Sequence, residues 1–443
     1  MPKNKVFGQS GGGVDEVQDY FYLIKDLPDE VFMKNHFLKT GTYILVDLEN
    51  NQKEIYHINS ENQADQTFDL IRMYDYYSQI INTNKCIDKK KLIHSNNYLS
   101  FLCKKEALPR ITNQIIDGYY EVLEDPARKY GDIDIYQLVV EQLPDIDHKK
   151  LHQCKTWVKE WIHDIEIKGK GYLKIFFRDS LQTYQQENLR YLVPNIFLNN
   201  QYNQEIAGKL VGVPSGNFNL NAKKPFLLQK TKKIELPILS SIEDALLRRK
   251  LQSLFSSFTL QAKQNIFISK SDIISFKNGK LPEKKIKGYF VKVIPGKLEN
   301  PILEEDTISY TPKLKKNLIY KNYIDSDGEN KEYPYGLVIE TAEELLHMVD
   351  SIYFSGQLIN NMFLPEDRIT SSSSSLANFI RYFSKIFGDW LYKGLEPRNI
   401  KTLHQRTLDL IMDNIAAGYT FRAAQQMNLM YSIEELLQEG DAI

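Results

Sequence analysis

The chain has 443 residues, enough for roughly two to four domains of ordinary size. Its 56 Lys and Arg balance 57 Asp and Glu to a net charge of -1, which excludes a uniformly basic nucleic-acid coat and makes any polyanion site a local one. Cys86, Cys103 and Cys154 stand too far apart for a C-x-x-C zinc pair and are odd in number for a secreted disulfide framework; with no apolar window of about 18 residues, a cytoplasmic protein without a membrane span is expected.

The N-terminal stretch from Phe7 to Leu70 is acidic, with short β-like runs at Thr42 to Leu48 and Glu54 to Ile58 between Gly and Asn turns. Helical spacing follows in Phe68, Ile71, Tyr74 and Tyr77, again in Ile111, Ile115, Tyr119 and Leu123 before Pro126, and in Leu151 to Ile165. Tyr172 to Phe177 (YLKIFF) is a compact β-prone run, and Tyr191 to Phe197 (YLVPNIF) reads the same way, with Pro194 marking an edge or a bulge. Asn203 to Lys250 holds nine basic residues against four acids, and Lys263 to Lys297 adds nine lysines against two acids, so the middle of the chain carries the usable positive charge. Thr341 with Glu344 predicts a capping box opening a helix to about Met362, and Ser432 with Glu435 repeats the signature. Between them Leu376, Phe379, Ile380, Phe383, Phe387, Trp390 and Leu391 share a face, Leu403 to Ala417 continues the pattern, and Ser371 to Ser375 connects two helices. The expectation is an α+β chain in three parts: an acidic α/β N-terminal domain (1–165), a β-rich basic central domain (166–334) and a C-terminal helical bundle (335–443) able to fold separately.

Cofactor signatures are incomplete. Gly11 to Gly13 lacks the G-K-[ST] of a phosphate loop, and Asp325-x-Asp327-Gly328 has its glycine at the fourth rather than the sixth position of a calcium loop, so no cofactor is expected. His148 and His152, four apart and near Cys154 and His163, have loose metal-ligand spacing, but no acid completes an H-E-x-x-H pattern and a solvated helix is the expectation. Asp164 and Glu166 followed by Lys168 and Lys170 mimic a nuclease site, yet two such carboxylates need a third to hold two metals. No catalytic or metal-binding residue is assigned, and a metal-dependent nuclease is kept as the alternative.

The informative motif is Ser215 to Lys233 (SGNFNLNAKKPFLLQKTKK). In extended chain Asn217, Asn219 and Asn221 face one way and Phe218 and Leu220 the other, so three amides can read groove edges while Phe218 wedges at a base step. Lys223 and Lys224 can hold phosphates beside them, with Lys230, Lys232 and Lys233 as a basic rim. Lys284, Lys285 and Lys287 flank a second β-prone run, Tyr289 to Ile294, and offer a further backbone contact unless they guard a solvated strand edge.

Five phrases, in order along the middle of the chain, resemble the large (signature) subunit of the type I-B CRISPR Cascade: IHSNNYLSFLCKKEAL (Ile93 to Leu108), YLKIFF, YLVPNIF, NLNAKKPFL (Asn219 to Leu227) and SIEDALLRRKLQSLFSSF (Ser241 to Phe258). The resemblance implies a non-enzymatic subunit near the 5′ end of a guide RNA that reads the protospacer-adjacent motif in target double-stranded DNA and helps open it. Its implied partners are the guide RNA, the DNA, the backbone, 5′-handle and small subunits, and a recruited helicase-nuclease. By the same resemblance the C-terminal helices meet the displaced strand or neighbouring subunits, with Arg368, Arg381, Lys385, Lys393, Arg398, Lys401, Arg406 and Arg422 as candidate contacts.

Overall fold

The structure, a computed structural model, describes residues 24–63, 65–131, 134–164, 169–198, 200–215, 239–296, 302–325, 328 and 330–438. These form two compact units, one from Pro28 to Ser257 and one from Phe258 onward that also takes in residues 24–27.

In the first unit α1 (Asp29–Lys34) precedes a hairpin of β1 (Gly41–Asp47) and β2 (Gln52–Ile58). Then come α2 (Asp69–Ser78), β3 (Ser100–Lys104), α3 (Asn113–Glu124), α4 (Ala127–Tyr130), α5 (Asp134–Val140), α6 (His148–Trp161), β4 (Tyr172–Phe177) and α7 (Leu181–Asn195). The sheet order is β2-β1-β4-β3, with β4 parallel to β1 and antiparallel to β3. As a central strand β4 is buried from Leu173 to Phe177, and burial on both faces is why YLKIFF is a continuous apolar run rather than an alternating one. Ile71, Tyr74 and Tyr77 of α2 bury as their spacing predicts, and Tyr74 stacks on Tyr184 of α7 with centroids 4.1 Å apart. Thr112 caps α3 by accepting from the Ile115 amide, and the helix stops before Pro126.

Tyr191 to Phe197 departs from expectation: Tyr191 to Asn195 is the end of α7, not a strand. The Ser180 side chain caps that helix by accepting from the Thr183 amide, and Tyr184, Asn188, Tyr191, Leu192 and Asn195 bury at spacings of three and four. Pro194 sits in the last turn, where its missing N–H costs one hydrogen bond at a point where the helix is ending. A small sheet of β5 (Gln204–Ile206), β6 (Lys209–Gly212) and β7 (Ser240–Ser241) leads into α8 (Ile242–Leu260).

The second unit opens with an antiparallel sheet of β8 (Asn265–Ser269), β9 (Ile273–Phe276), β10 (Ile286–Val293) and β11 (Ile302–Tyr310), ordered β11-β10-β8-β9. β12 (Lys313–Ile319) pairs with β13 (Val338–Thr341), and the helices follow: α9 (Ala342–Phe354), α10 (Ser374–Phe387) running into a π turn at Gly388–Tyr392, α11 (Ile400–Ala416) and α12 (Thr420–Gln438). Thr341 and Glu344 close the expected capping box, but α9 stops at Phe354, where Ser355 turns left-handed with φ 53°. Ser373 is the cap of α10, so the serine run is half connector and half helix start. Ser432 opens no helix. It lies inside α12, its hydroxyl donating to the Asn428 carbonyl one turn back, while Glu435 pairs with Lys321.

The division into two units differs from the three-part expectation because the C-terminal helices do not close a core of their own. Leu345, Tyr353, Phe383, Leu391 and Leu429 share one buried cluster with Phe267, Phe290, Ile308, Tyr310 and Leu318 of the strands. Among the described residues no helix is long and apolar enough to cross a membrane.

Candidate nucleic-acid interface and buried ionic centres

Asn217, Phe218, Asn219, Asn221, Lys223, Lys224, Lys230, Lys232 and Lys233 lie outside the described residues. The flanks of that motif are described, and they come back together. Val211 and Gly212 of β6 pair with Ser241 and Ser240 of β7, Pro214 bridges Phe197, and the Ser215 amide donates to the Ile196 carbonyl at 2.5 Å. The motif is thus bracketed by neighbouring strands next to the end of α7.

Lys284 and Lys285 are exposed in the approach to β10, and Lys287 is exposed on it opposite Ser309. Because β10 lies between β8 and β11, Lys287 does not guard a sheet edge. On α10, Arg381 and Lys385 are exposed one turn apart, with Arg381 3.2 Å from Glu366. Arg406 of α11 lies over the Tyr382 ring at 5.5 Å and reaches Asp409 at 3.3 Å, so Arg381, Tyr382, Lys385 and Arg406 are brought to adjoining faces of α10 and α11. Arg368, Arg398 and Lys401 are exposed, and Arg422 is half-buried, its guanidinium pushed down by burial.

Lys393 is not free to meet a nucleic-acid strand, contrary to expectation. Its side chain is 2% exposed, and its Nζ meets Glu304 at 2.6 Å, Asp389 at 2.8 Å and Asp306 at 3.0 Å. Burial opposes its charge, but Glu304 and the other two acids outweigh that and hold the ammonium well above the usual lysine range. Gly394 follows at φ 82°, and a Cβ there would lie 2.6 Å from the Ser309 carbonyl oxygen, so this turn needs glycine to bring Lys393 down onto β11. Glu304, Asp306 and Asp389 are also the one group of three acids, histidines or cysteines among the described residues whose ligand atoms cluster within 4.8 Å. The Lys393 ammonium fills it. Lys393→Met is expected to destabilise the protein by about 3 kcal/mol, the low end for a broken buried pair because the three carboxylates keep some water contact. Urea denaturation checks it, and a loss within error of zero would remove the anchoring role.

Asp164 is exposed in the turn after α6, Lys170 is exposed, and Glu166 and Lys168 lie outside the described residues. Cys154 is buried, which pushes its thiol up and away from metal-binding thiolate character; His163 is exposed. His148 and His152 both turn toward Glu124 at the end of α3.

Sequence reasoning missed a fully buried ionic centre in the first unit. Lys174, inside the apolar run of β4, places Nζ 2.6 Å from Asp75 Oδ1 of α2, while His36 Nε2 lies 2.9 Å and Gln79 Nε2 3.0 Å from Asp75 Oδ2. Burial would raise the Asp75 carboxyl, but Lys174 and His36 outweigh it and hold it well below the ordinary carboxylate range. Burial lowers both Lys174 and His36, with Asp75 opposing. A second hidden lysine, Lys292 on β10, points its Nζ between the side-chain oxygens of Asn278 (2.6 Å) and Asn265 (3.0 Å), and burial pushes it down to about 7. The signal for each is a lone charge within an apolar β run.

A scan against protein-family models, a search of curated proteins and a search of solved structures each found no match to this chain.

Proposed function

We propose that the chain is the non-catalytic large subunit of a guide-RNA-directed DNA surveillance complex, reading the protospacer-adjacent motif in duplex DNA and promoting strand opening. The observation that carries the reading is that the phrases resembling this family, far apart in sequence, lie on one framework. Phe101 and Leu102 of the first phrase pair with Ile175 and Lys174 of YLKIFF across β3 and β4. The helix that ends in YLVPNIF is tied to both, since Tyr184 Oη donates to the Leu99 and Phe177 carbonyls and Asn96 donates to Asn188. The Asn motif springs from strands beside that helix, and SIEDALL begins α8 directly after it. Phrases matched by chance have no reason to meet in one hydrogen-bonded body.

The test is affinity purification of the chain with the products of its neighbouring genes, followed by sequencing of bound RNA. Repeat-derived guides with a uniform 5′ handle are expected; bulk RNA without repeat sequence would overturn the proposal. Mg²⁺-dependent cleavage by the purified chain, abolished in Asp164→Ala, would instead install the nuclease alternative.

Within the proposal, Asn219→Ala or Asn221→Ala should relax motif choice by about 1 to 3 kcal/mol for each bidentate amide–base pairing removed, whereas Lys223→Ala should weaken all sequences alike. Gel-shift titration of the assembled complex on preferred and scrambled flanks measures both. Equal binding of the two flanks by the wild-type complex would remove the Asn motif from this role.

A further inference from the structure

We infer that Glu124, His148 and His152 form a binding site for a divalent transition-metal ion of the zinc class, stapling the end of α3 to the start of α6. The inference is independent of the proposed function. His148 and His152 stand at i and i+4 of α6, the spacing by which two histidines on one helix face share a zinc ion. The sequence offers no acid beside them, but the fold supplies one from another helix. Glu124 Oε1 lies 3.1 Å from His152 Nε2 and 3.9 Å from His148 Nδ1. With metal–ligand bonds near 2.0 to 2.2 Å, ligand atoms on a tetrahedral ion stand roughly 3.3 Å apart, so both separations lie within a small side-chain rotation of that edge. Two neutral imidazoles and one carboxylate are a known zinc donor set, leaving a fourth position for water.

The surroundings favour a cation at this point. Lys150 is directed to Asp179 at 2.5 Å, Arg128 to Asp125 at 3.0 Å, and Lys155 and Lys159 both to Asp117 at 3.0 Å. Among the described residues the Glu124 carboxylate is therefore met by the imidazoles and by no lysine or arginine. This distinguishes it from Glu304, Asp306 and Asp389, whose centre the Lys393 ammonium occupies. Access is open, because His148 and His152 side chains are 59% and 58% exposed and Glu124 is 34% exposed. The backbone beneath is fixed: Asp147 caps α6 through the Lys150 amide at 2.9 Å, and the Asp117 pairs lock α3 against α6 further along the same seam.

The experiment titrates the full chain, free of any histidine tag, with Co²⁺ while visible absorption is recorded, then displaces the Co²⁺ with Zn²⁺. One saturable equivalent with d–d bands of a four- or five-coordinate ion is expected, together with a Zn²⁺-dependent rise in Tm. H148A/H152A should weaken binding at least about tenfold and lose the Tm rise, and K149A should change neither. Glu124→Gln, which keeps side-chain size, should weaken binding in the same sense and serves if the double variant is misfolded by circular dichroism. A wild-type chain without a saturable Co²⁺ spectrum, or variants that bind as tightly as wild type, would reduce the cluster to a surface ion pair.

Discussion

A fragment from Tyr335 to Ile443 is expected to lack a cooperative thermal transition, although its helices are the most regular part of the sequence. Cutting at Tyr335 removes Phe267, Leu281, Ile286, Phe290, Ile308, Tyr310, Leu318 and Tyr320 from the buried cluster those helices complete. At about 1.5 to 3 kcal/mol for each large apolar side chain buried, the missing burial outweighs the roughly 5 to 15 kcal/mol net stability of an ordinary domain. Polar anchors go as well. The Tyr392 hydroxyl loses the Gly279 amide at 3.3 Å, Glu343 loses the Leu281 amide at 2.8 Å, and Asn428 loses the Tyr323 and Ile324 amides at 2.9 and 2.8 Å. β13 would also be left without β12, exposing a strand edge. Far-UV circular dichroism during heating, with the full chain as reference, decides the matter: a sigmoidal melt from the fragment alone would restore a separable helical domain.

The contrast shows which information was local. The Thr341 to Glu344 box, the Ile71 to Tyr77 stripe and the apolar run of β4 are set by residues within one or two turns of each other, and each appears as the sequence predicts. Tyr191 to Phe197 misled because its β-branched and aromatic content favours a strand in isolation, whereas the cap at Ser180 and a buried face beginning at Tyr184 had already committed the segment to helix. Ser432 has capping chemistry but lies in mid-helix, so its hydroxyl turns back on its own backbone. The α+β class was legible, but the unit boundary was not, since it depends on which strands the last helices pack against. The same holds for side-chain clusters: Lys174 finds Asp75 99 residues away, Lys393 finds Glu304 89 residues away, and His148 and His152 find Glu124 on another helix. For the Asn motif the sequence supplies the residues, and the structure describes the strands on either side.

Lys174→Met is expected to cost about 3 to 5 kcal/mol, the range for breaking a buried ion pair, and the pH profile identifies the cause. The Lys174 and Asp75 side chains are 1% and 0% exposed, so the substitution leaves a carboxylate in the core with His36 and Gln79 as remaining partners and little water to replace the ammonium. Lys174 also lies over the faces of Tyr43 and Tyr172, 5.2 and 5.5 Å from their centroids, so an apolar replacement forfeits that attraction too. Asp75→Asn should cost a similar amount by stranding the lysine, and Lys174→Met with Asp75→Leu should recover part of the loss, because the double change strands neither charge. In the wild type, Asp75 titrates in the fold below its ordinary 3.8, so its contribution is complete above that pH and is lost as pH falls through the folded value. His36 titrates below its ordinary 6.5, because burial favours the neutral ring more than Asp75 favours the charged one. The unfolded chain therefore binds that proton first, and stability declines as pH falls from 6.5 toward the folded value. His36→Gln should flatten this limb while leaving the more acidic one, which belongs to Asp75. Urea midpoints at about pH 7.5 and pH 5, on either side of the ordinary imidazole range, for wild type, His36→Gln and Lys174→Met read the limbs separately. A His36→Gln profile parallel to wild type between those two conditions would show that the buried imidazole is not the group that titrates.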